Sequence, residues 1–314
     1  MKLKARKYSL IFLFLFSAFI FKGCQAPLYR ETQLLMGTFV EVISTDPRAA
    51  NIVFSEIRHI EKLLSVYDPN SQISQLNQKG KLTVSPQTYK LLKKAKEFWQ
   101  NSEGAFDISV GPLMDLWGFR NRDFRIPSEE EIKTARQKVG MDKIIFQDAT
   151  NMIELTVPGM QLDCGGIAKG YAVDCAVQKL RRENIKSCLI NAGGDIYCLG
   201  SRGRTAWKVA IQRPDKKAIL KVIFVKDKAV ATSGNSEQFF IAEGQIYSHI
   251  IDPCSGYPVK TAFSSVTVTS NDCMTADFLA TAAFVLGKDK AELLASKYNS
   301  KIELFYTQDE KPLS

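Results

Sequence analysis

The sequence lacks most of the motifs that mark common cofactor and metal sites. Only two histidines are present, His59 and His249, and neither stands at a ligand spacing from a cysteine pair, which excludes the usual zinc sites. The seven cysteines include no C-x-x-C pair and no framework spacing, so no specific disulfide is predicted. Neither the G-x-G-x-x-G fingerprint nor the G-x-x-x-x-G-K-S/T loop occurs, which excludes the dinucleotide-binding and P-loop classes that these motifs define.

More than half of the excess positive charge lies at the N-terminus. Residues 1–23 hold five Lys or Arg and no acidic residue, so the formal net charge of +9 falls to +4 without them. The remaining charge gives no reason to expect a nucleic-acid partner. In this segment a basic start precedes an apolar run from Leu10 to Phe21 that is too short to span a bilayer comfortably. This order predicts an export signal over residues 1–23.

The end of this signal is similar to the lipobox of bacterial lipoproteins. Cys24 is the predicted lipidation residue, although Phe21 and Lys22 stand where that pattern has Leu and a small residue. An uncleaved N-terminal anchor is the alternative, and either form leaves the body membrane-anchored and facing the periplasm. Gln25 after the cysteine favours the outer membrane. Residues 24–32 are the predicted tether, and residues 33–314 are the predicted domain.

Helical and strand-like patterns alternate in this domain without the regular spacing of a parallel sheet. Helices are predicted at 49–67, 85–104, 128–140, 167–182, 275–287 and 289–298. Strands are predicted at 34–45, 143–148, 152–157, 186–191, 206–213, 219–226, 229–235, 245–253, 264–270 and 301–307. Residues 68–80 and 104–119 are interpreted as turn and loop. Hairpin signals such as "DATN" favour antiparallel pairing. The predicted fold class is therefore α+β: a single large domain of mixed, mainly antiparallel sheets with flanking helices.

A glycine pair at a predicted helix start, within "LDCGGIAKGYAVD" at 162–174, is the first candidate site. Free backbone N–H groups favour an anion there, and Lys169 adds a positive charge. Asp163 would repel a bare phosphate and suits a base amide, a ribose hydroxyl or a cation. A tight strand-to-helix turn with a solvated lysine is the structural alternative.

Asp277 and Thr281, within "TADFLATAAF", form the second candidate site. They stand four residues apart and share one face of a predicted helix, where their oxygens suit Mg²⁺ with a phosphate and waters. A helix-start charge and a half-buried threonine are the alternative.

His249 and a group of rings supply the remaining candidates. His249 precedes the turn "DPCSG", where a side chain can be aimed at a cleft, and a hydrogen-bonded histidine near a hairpin is the alternative. Tyr67 and Phe106, with Asp68 and Asp107, can hold a flat heterocycle, or they are ordinary core residues.

Eight segments in this order resemble the ApbE family of FAD:protein FMN transferases. They are "MGTFVEV" from residue 36, "VYDPNSQISQLN" from 66, "GAFDISVGPLMDLWGF" from 104, "LDCGGIAKGYAVD" from 162, "INAGGDI" from 190, "ATSGN" from 231, "YSHIIDPCSGYPV" from 247 and "TADFLATAAFVLG" from 275. The resemblance covers nearly all of the chain from about residue 33, and the lipoprotein signal agrees with it.

The resemblance implies an ApbE-like (T-fold-like) domain that binds FAD with Mg²⁺, cleaves the diphosphate and moves FMN to a Ser or Thr hydroxyl of a target protein, releasing AMP. The implied FAD contacts are Met36, Tyr67, Ala105, Phe106, Asp107, Asp163, Lys169 and Ile251. The implied metal ligands are Asp277, Thr281 and the backbone carbonyl of Gly166. His249 matches the family histidine, and we assign it as general base toward the incoming hydroxyl.

Two alternatives use the same site. With water as acceptor the protein would be a Mg²⁺-dependent FAD pyrophosphatase that yields FMN and AMP, and without catalysis it would be an FAD-binding lipoprotein. The expected partners are proteins flavinylated on Ser or Thr, such as subunits of membrane redox complexes, together with the membrane that holds the lipid anchor.

Overall fold

The computed structural model describes residues 27–213, 218–234 and 238–306. The predicted signal at 1–23 and the predicted lipidation site Cys24 lie outside these residues. Within the described ranges, none of the helices is long and apolar enough to cross a membrane.

Helices and strands alternate along the described chain. The helices are α1 (Ala49–Leu64), α2 (Gln72–Lys79), α3 (Pro86–Asn101), α4 (Gly111–Leu116), α5 (Glu129–Arg136), α6 (Gly165–Arg182), α7 (Cys273–Leu286) and α8 (Lys288–Lys297). The strands are β1 (Tyr29–Leu35), β2 (Thr38–Ser44), β3 (Lys81–Thr83), β4 (Ile144–Gln147), β5 (Met152–Leu155), β6 (Cys188–Ala192), β7 (Asp195–Leu199), β8 (Trp207–Gln212), β9 (Ile219–Val225), β10 (Lys228–Gly234), β11 (Phe239–Ala242), β12 (Gln245–Ser248), β13 (Phe263–Ser270) and β14 (Lys301–Tyr306).

A seven-stranded sheet in the order β1-β2-β6-β7-β10-β13-β14 forms the centre of the fold. Every neighbouring pair in it is antiparallel. Helices α1, α6 and α7 pack on one face of this sheet, and the β8–β9 hairpin covers part of the other face. The predicted α+β fold with mainly antiparallel sheets is confirmed.

Two smaller sheets complete the described fold. Strands β3, β5 and β4 form one, and the β11–β12 hairpin forms the other. The β11–β12 hairpin packs on the α4–α5 region through stacked Phe240 and Tyr247 rings beside Trp117. The Trp117 indole N–H donates to the Gly256 carbonyl at 2.9 Å. This contact attaches the turn after His249 to the end of α4, beside the hairpin.

Helices α6 and α7 approach each other more closely than side chains normally allow. A Cβ on Gly170 would lie 2.6 Å from the Cys273 carbonyl oxygen and 2.8 Å from Met274 Cα. Helix α7 is buried on most of its surface because it lies between the sheet and α6, which explains its almost uniformly apolar sequence. The missing side chain at Gly170 therefore sets how closely the two helices pack.

The single strand predicted at 34–45 is wrong, because these residues span the turn of the β1–β2 hairpin. Met36 and Gly37 have φ values of 51° and 71°, which end β1 and begin β2. Strand β1 also begins at Tyr29, within the predicted tether. Its residues are mostly exposed because β1 is the edge strand, and an edge strand with polar side chains gives a weak sequence signal.

Two helices and three strands were absent from the prediction. Helix α2 lies in the segment predicted as turn, where the Ser71 hydroxyl caps it by accepting from the Ser74 amide at 3.0 Å. Helix α4 lies in the predicted loop, and strands β3, β7 and β11 had no prediction. All five elements are eight residues or shorter, so they give too few periodic positions to recognise.

The close approach at Gly170 predicts a stability effect. Alanine would gain about 1 kcal/mol of helix propensity. The overpacking is against backbone atoms, which cannot rotate away, so its cost lies in the upper half of the usual range, about 2–3 kcal/mol. We therefore expect Gly170→Ala to lower the free energy of unfolding by about 1–2 kcal/mol. Urea unfolding checks this, with Gln178→Ala on the exposed side of the same helix as the control. A Gly170→Ala protein that is as stable as the unaltered one would contradict the packing described here.

Candidate active site

The crossing of α6 and α7 brings the three predicted metal ligands together. A Cβ on Gly166 would lie 3.5 Å from Thr281 Oγ1, and the Gly170 amide donates to Asp277 Oδ2 at 3.3 Å. Asp277 is buried, while Thr281 is half-buried and lies 3.5 Å from the Ser233 hydroxyl. The sequence spacing placed Asp277 and Thr281 on one face, and the fold adds Gly166 from the facing helix.

These oxygens form a donor set suited to a hard cation. The described residues contain no cluster of three His, Cys, Asp or Glu side chains placed to bind a metal. One carboxylate, one hydroxyl and one carbonyl instead offer three oxygens, which fits Mg²⁺ because that ion commonly keeps waters and binds substrate phosphates. The Asp277 carboxylate also accepts a hydrogen bond from the Gly170 amide. In a regular helix that amide donates to the Gly166 carbonyl, so the carboxylate and the carbonyl compete for one donor. The residues present therefore fit the implied metal.

Asp163 is held at the start of α6 by a residue that sequence reasoning missed. Arg120 Nε donates to Asp163 Oδ2 at 3.0 Å, and its Nη2 donates to the Leu162 carbonyl at 3.1 Å. The other Asp163 oxygen accepts from the Gly165 amide at 2.9 Å. The only sequence signal for Arg120 was a basic residue directly after "LWGF". The aspartate is thus fixed in orientation, and Arg120 compensates its negative charge.

Lys169 forms a second fixed ion pair with a residue that was not predicted as part of the site. Its Nζ lies 3.2 Å from Asp195 Oδ2, and the Asp195 side chain is only 5% exposed. Burial raises the pKa of the Asp195 carboxyl, and the Lys169 ammonium opposes that shift. Asp195 begins β7 directly after the Gly193–Gly194 turn, so the sheet sets its position. Lys169 lies in the first two turns of α6, so the pair holds its positive charge near the N-terminal end of this helix.

His249 is held in one tautomer by a backbone carbonyl. Its Nδ1 lies 3.0 Å from the Gln238 oxygen, which also accepts from the His249 amide at 3.0 Å. A carbonyl only accepts hydrogen bonds, so Nδ1 carries the hydrogen and the lone pair of neutral imidazole lies on Nε2. Burial lowers the pKa of His249; the Gln238 bond opposes this, and the Lys169 charge lowers the pKa further. The imidazole is therefore a neutral proton acceptor at pH 7.

Lys169 and Asp163 lie close enough to His249, and Asp163 close enough to Tyr67, to affect the pKa values of these two side chains. Lys169 and Asp163 both act on the pKa of His249. Partial burial of the phenol raises the pKa of Tyr67, and the Asp163 carboxylate raises it further. Tyr67 as a whole is nevertheless 75% exposed. Asp163, Lys169, His249 and Tyr67 therefore border one region at the N-terminal end of α6.

Phe106 forms an apolar wall beside the glycine pair. Its ring packs edge-on against Phe98 and Phe278, and a Cβ on Gly166 would lie 3.1 Å from its Cε2 atom. Ala105 precedes it and donates its amide to the Ser102 carbonyl at 3.0 Å. Phe106 is thus both a core residue and a neighbour of the candidate site.

Asp107 is turned toward its own loop. Its Oδ1 accepts from the Ser109 amide at 2.7 Å and from the Ser109 hydroxyl at 2.6 Å. Burial raises the pKa of Asp107 to about 6, and the Ser109 bonds oppose that shift. The carboxylate organises the loop that carries Phe106, and its direct contact with a ligand stays a prediction.

Met36 lies in the β1–β2 turn, and Ile251 lies in the segment after His249. The Met36 amide donates to Glu61 Oε1 at 2.7 Å, so the β1–β2 turn is attached to α1. Ile251 is buried, follows His249 by two residues and forms an isolated bridge with Pro258. Neither position shows a contact with the ion pairs described above.

Known proteins resemble this chain over almost all of its described length. The model of the ApbE family matches residues 36–306. A FAD:protein FMN transferase of Klebsiella pneumoniae is 32% identical over 269 residues, which cover 83% of this chain and 84% of the relative.

Two solved structures share the fold. The ApbE protein of Thermotoga maritima matches with a TM-score of 0.83 and 33% identity, covering 88% of this chain and 94% of its own. The flavin transferase ApbE of Vibrio cholerae matches with a TM-score of 0.79 and 30% identity, covering 89% and 93%. Together with the ordered sequence segments and the site geometry, these matches show that the chain belongs to the ApbE family.

Proposed function

We propose that this protein is a Mg²⁺-dependent FAD:protein FMN transferase that acts on Ser or Thr hydroxyls. Family membership and the named relatives support flavin transfer as the activity. The observation that carries the proposal is His249, a neutral imidazole whose Nε2 is left as acceptor beside Asp163 and Lys169. A weak hydroxyl nucleophile needs such a base.

The reaction is one displacement at phosphorus. The acceptor oxygen bonds to the phosphorus of the FMN half, the bond from that phosphorus to the bridging oxygen breaks, and AMP leaves with the bridging oxygen. The hydroxyl proton goes to His249 Nε2. This path needs no covalent enzyme intermediate, so the chain's task is to bind, orient and accept one proton.

The charges of the site are suited to a diphosphate. Lys169 and the free N–H groups at the start of α6 favour an anion. Asp277, Thr281 and the Gly166 carbonyl would hold Mg²⁺, which when bound neutralises phosphate charge and polarises the bond that breaks. Asp195 keeps Lys169 in place. Asp163, oriented by Arg120, presents an acceptor suited to a base amide or a ribose hydroxyl rather than to phosphate.

We also propose that the protein is an exported lipoprotein, attached through Cys24 and favouring the outer membrane. The basic and apolar N-terminal segment ending in "KGC" supports this. Its acceptors would then be proteins with parts outside the cytoplasm, such as subunits of membrane redox complexes.

The first test is FMN transfer to an acceptor protein that carries a candidate Ser or Thr. We expect flavin fluorescence on the acceptor in denaturing gels, release of AMP, and loss of transfer by about 10²–10⁴-fold in His249→Ala. His59→Ala removes the other histidine, which is exposed on α1, and should leave the rate unchanged. FMN and AMP without labelled acceptor would indicate the pyrophosphatase alternative, and FAD binding without AMP would indicate a binding protein.

The pH dependence of transfer tests the role of His249. Because burial lowers its pKa below the ordinary 6.5, the base stays unprotonated at neutral pH and is lost only as pH falls through that lowered pKa. We expect kcat/KM to be constant near pH 8 and to fall at acidic pH with a midpoint below pH 6.5. A half-maximal rate above pH 6.5 would contradict this assignment.

A magnesium titration tests Asp277. Asp277→Asn keeps an acceptor for the Gly170 amide but removes the charge, so we expect the Mg²⁺ concentration for half-maximal rate to rise on the order of 10–100-fold. High Mg²⁺ should restore part of the rate in Asp277→Asn and none in His249→Ala. Asp289→Asn, at an exposed aspartate on α8, is the control. An unchanged Mg²⁺ requirement in Asp277→Asn would show that Asp277 is not a metal ligand.

A further inference from the structure

The central sheet has two ends, and the candidate site occupies only one of them. The Gly193 amide bonds to the Phe39 carbonyl at 3.2 Å, and Asp195 starts β7, so the beginning of β2 lies at the site end. Ser44 lies at the other end of β2 and is paired with Tyr29. The seven residues of β2 span about 20 Å. The end that contains Ser44 is called the anchor end below.

Several loops meet at the anchor end through hydrogen bonds. The Ser44 hydroxyl donates to the Ser187 carbonyl at 2.7 Å, and the Ser187 hydroxyl donates to the Ser201 carbonyl at 2.7 Å. The Gly200 amide donates to Asp227 Oδ1 at 2.8 Å. Segments 45–48, 182–187, 200–206 and 226–228 therefore form one continuous surface, which carries two adjoining cavities of about 480 and 400 Å³.

This surface is strongly basic. Its segments hold seven Lys or Arg and only three acidic residues, which gives a formal charge of +4. This surplus is as large as the net charge of the whole chain without residues 1–23. Of these acids, Asp46 pairs with Arg48 at 2.8 Å and Asp227 accepts from a backbone amide. The six cations other than Arg48 are exposed and form no ion pair within the part of the chain that the structure describes. We call these six residues the basic patch: Arg182, Lys186, Arg202, Arg204, Lys226 and Lys228.

An exposed aromatic side chain borders the basic patch. Phe224 is 66% exposed near the end of β9, two residues before Lys226, and the Lys208 Nζ lies 5.7 Å from its ring centroid. The Trp207 indole, on the neighbouring strand, donates to the Leu199 carbonyl at 3.2 Å, which attaches this hairpin to the anchor end. Basic side chains beside an exposed phenylalanine are the combination that binds the interface of an anionic bilayer.

The N-terminal chain reaches the fold at the same end. Leu28 packs on the apolar cluster that contains Ile43, Leu189 and Trp207. Cys24 stands four residues before Leu28, so a fully extended connection reaches about 14 Å at most. A lipid on Cys24 would therefore keep the anchor end close to the bilayer surface, within one to two Debye lengths at physiological salt.

We propose that the basic patch is the surface by which this protein lies on an anionic phospholipid membrane, with the candidate site facing away from the bilayer. The orientation rests on the proposed lipid attachment at Cys24. Every described contact lies within residues 27–306, so a body that begins at Gln25 keeps the complete sheet and its cores. Binding through the patch can thus be measured without the lipid.

The experiment compares two triple variants of this body with the unaltered body. Lys186→Glu/Arg202→Glu/Lys226→Glu replaces three of the six cations of the patch by acids and so cancels its formal positive charge. Lys62→Glu/Lys288→Glu/Lys297→Glu makes the same change in net charge at exposed lysines elsewhere. Co-sedimentation is measured with vesicles of phosphatidylcholine plus phosphatidylglycerol and with vesicles of phosphatidylcholine alone, at low and high salt.

We expect the unaltered body to bind only the anionic vesicles and to be released by high salt. The patch variant should bind them on the order of tenfold or more weakly, and the control variant should bind within about twofold of the unaltered body. Equal loss in both variants, binding by the patch variant at full strength, or binding of the unaltered body to DNA or an acidic protein but not to vesicles would overturn the proposal.

An FMN-transfer assay with a soluble acceptor separates this proposal from the proposed function. Both triple variants should transfer at the rate of the unaltered body, because the patch lies about 20 Å from the site. Failure of transfer in the unaltered body would overturn the enzyme function while leaving vesicle binding intact. Loss of transfer in the patch variant alone would overturn the proposal, because the patch would then be part of the transfer reaction.

Discussion

The close contact between α6 and α7 at Gly170 is the constraint on which the candidate site depends. Without a side chain there, the Gly170 amide reaches Asp277, and the same crossing brings Gly166 beside Thr281. The contact that packs the core is thus also the one that assembles the oxygens of the predicted metal site. A change in the spacing of α6 and α7 would therefore alter both the stability of the fold and the geometry of the candidate site.

The long helices could be predicted from sequence because their apolar periodicity and their capping residues indicate the same boundaries. Helix α3 begins after the Ser85 cap with Pro86 in its first turn, and α5 opens with the Ser128 and Glu131 capping box. The short elements α2, α4, β3, β7 and β11 offered too few periodic positions. The β1–β2 hairpin was hidden because its polar edge strand and a turn at Met36 resemble a continuous strand.

The residues of the candidate site also form two groups, those that the sequence could place together and those that it could not. Asp277 and Thr281 are linked by local spacing, so sequence alone could place them together. Arg120 acts on a carboxylate 43 residues away, and Asp195 reaches Lys169 from a neighbouring strand. No periodicity connects such pairs, because the sheet and the loop crossings that join them form only in the folded chain. The resemblance to a family identified positions in the site but not these supports.

The partner of the His249 ring has a consequence for its acid–base character. A carboxylate at Nδ1 would stabilise the imidazolium and make the base stronger but more readily protonated. Here the partner is the uncharged Gln238 carbonyl, and within the described chain no carboxylate bonds to the ring. The imidazole is therefore a weaker base than one paired with a carboxylate, but it stays unprotonated, and so able to accept a proton, down to a lower pH.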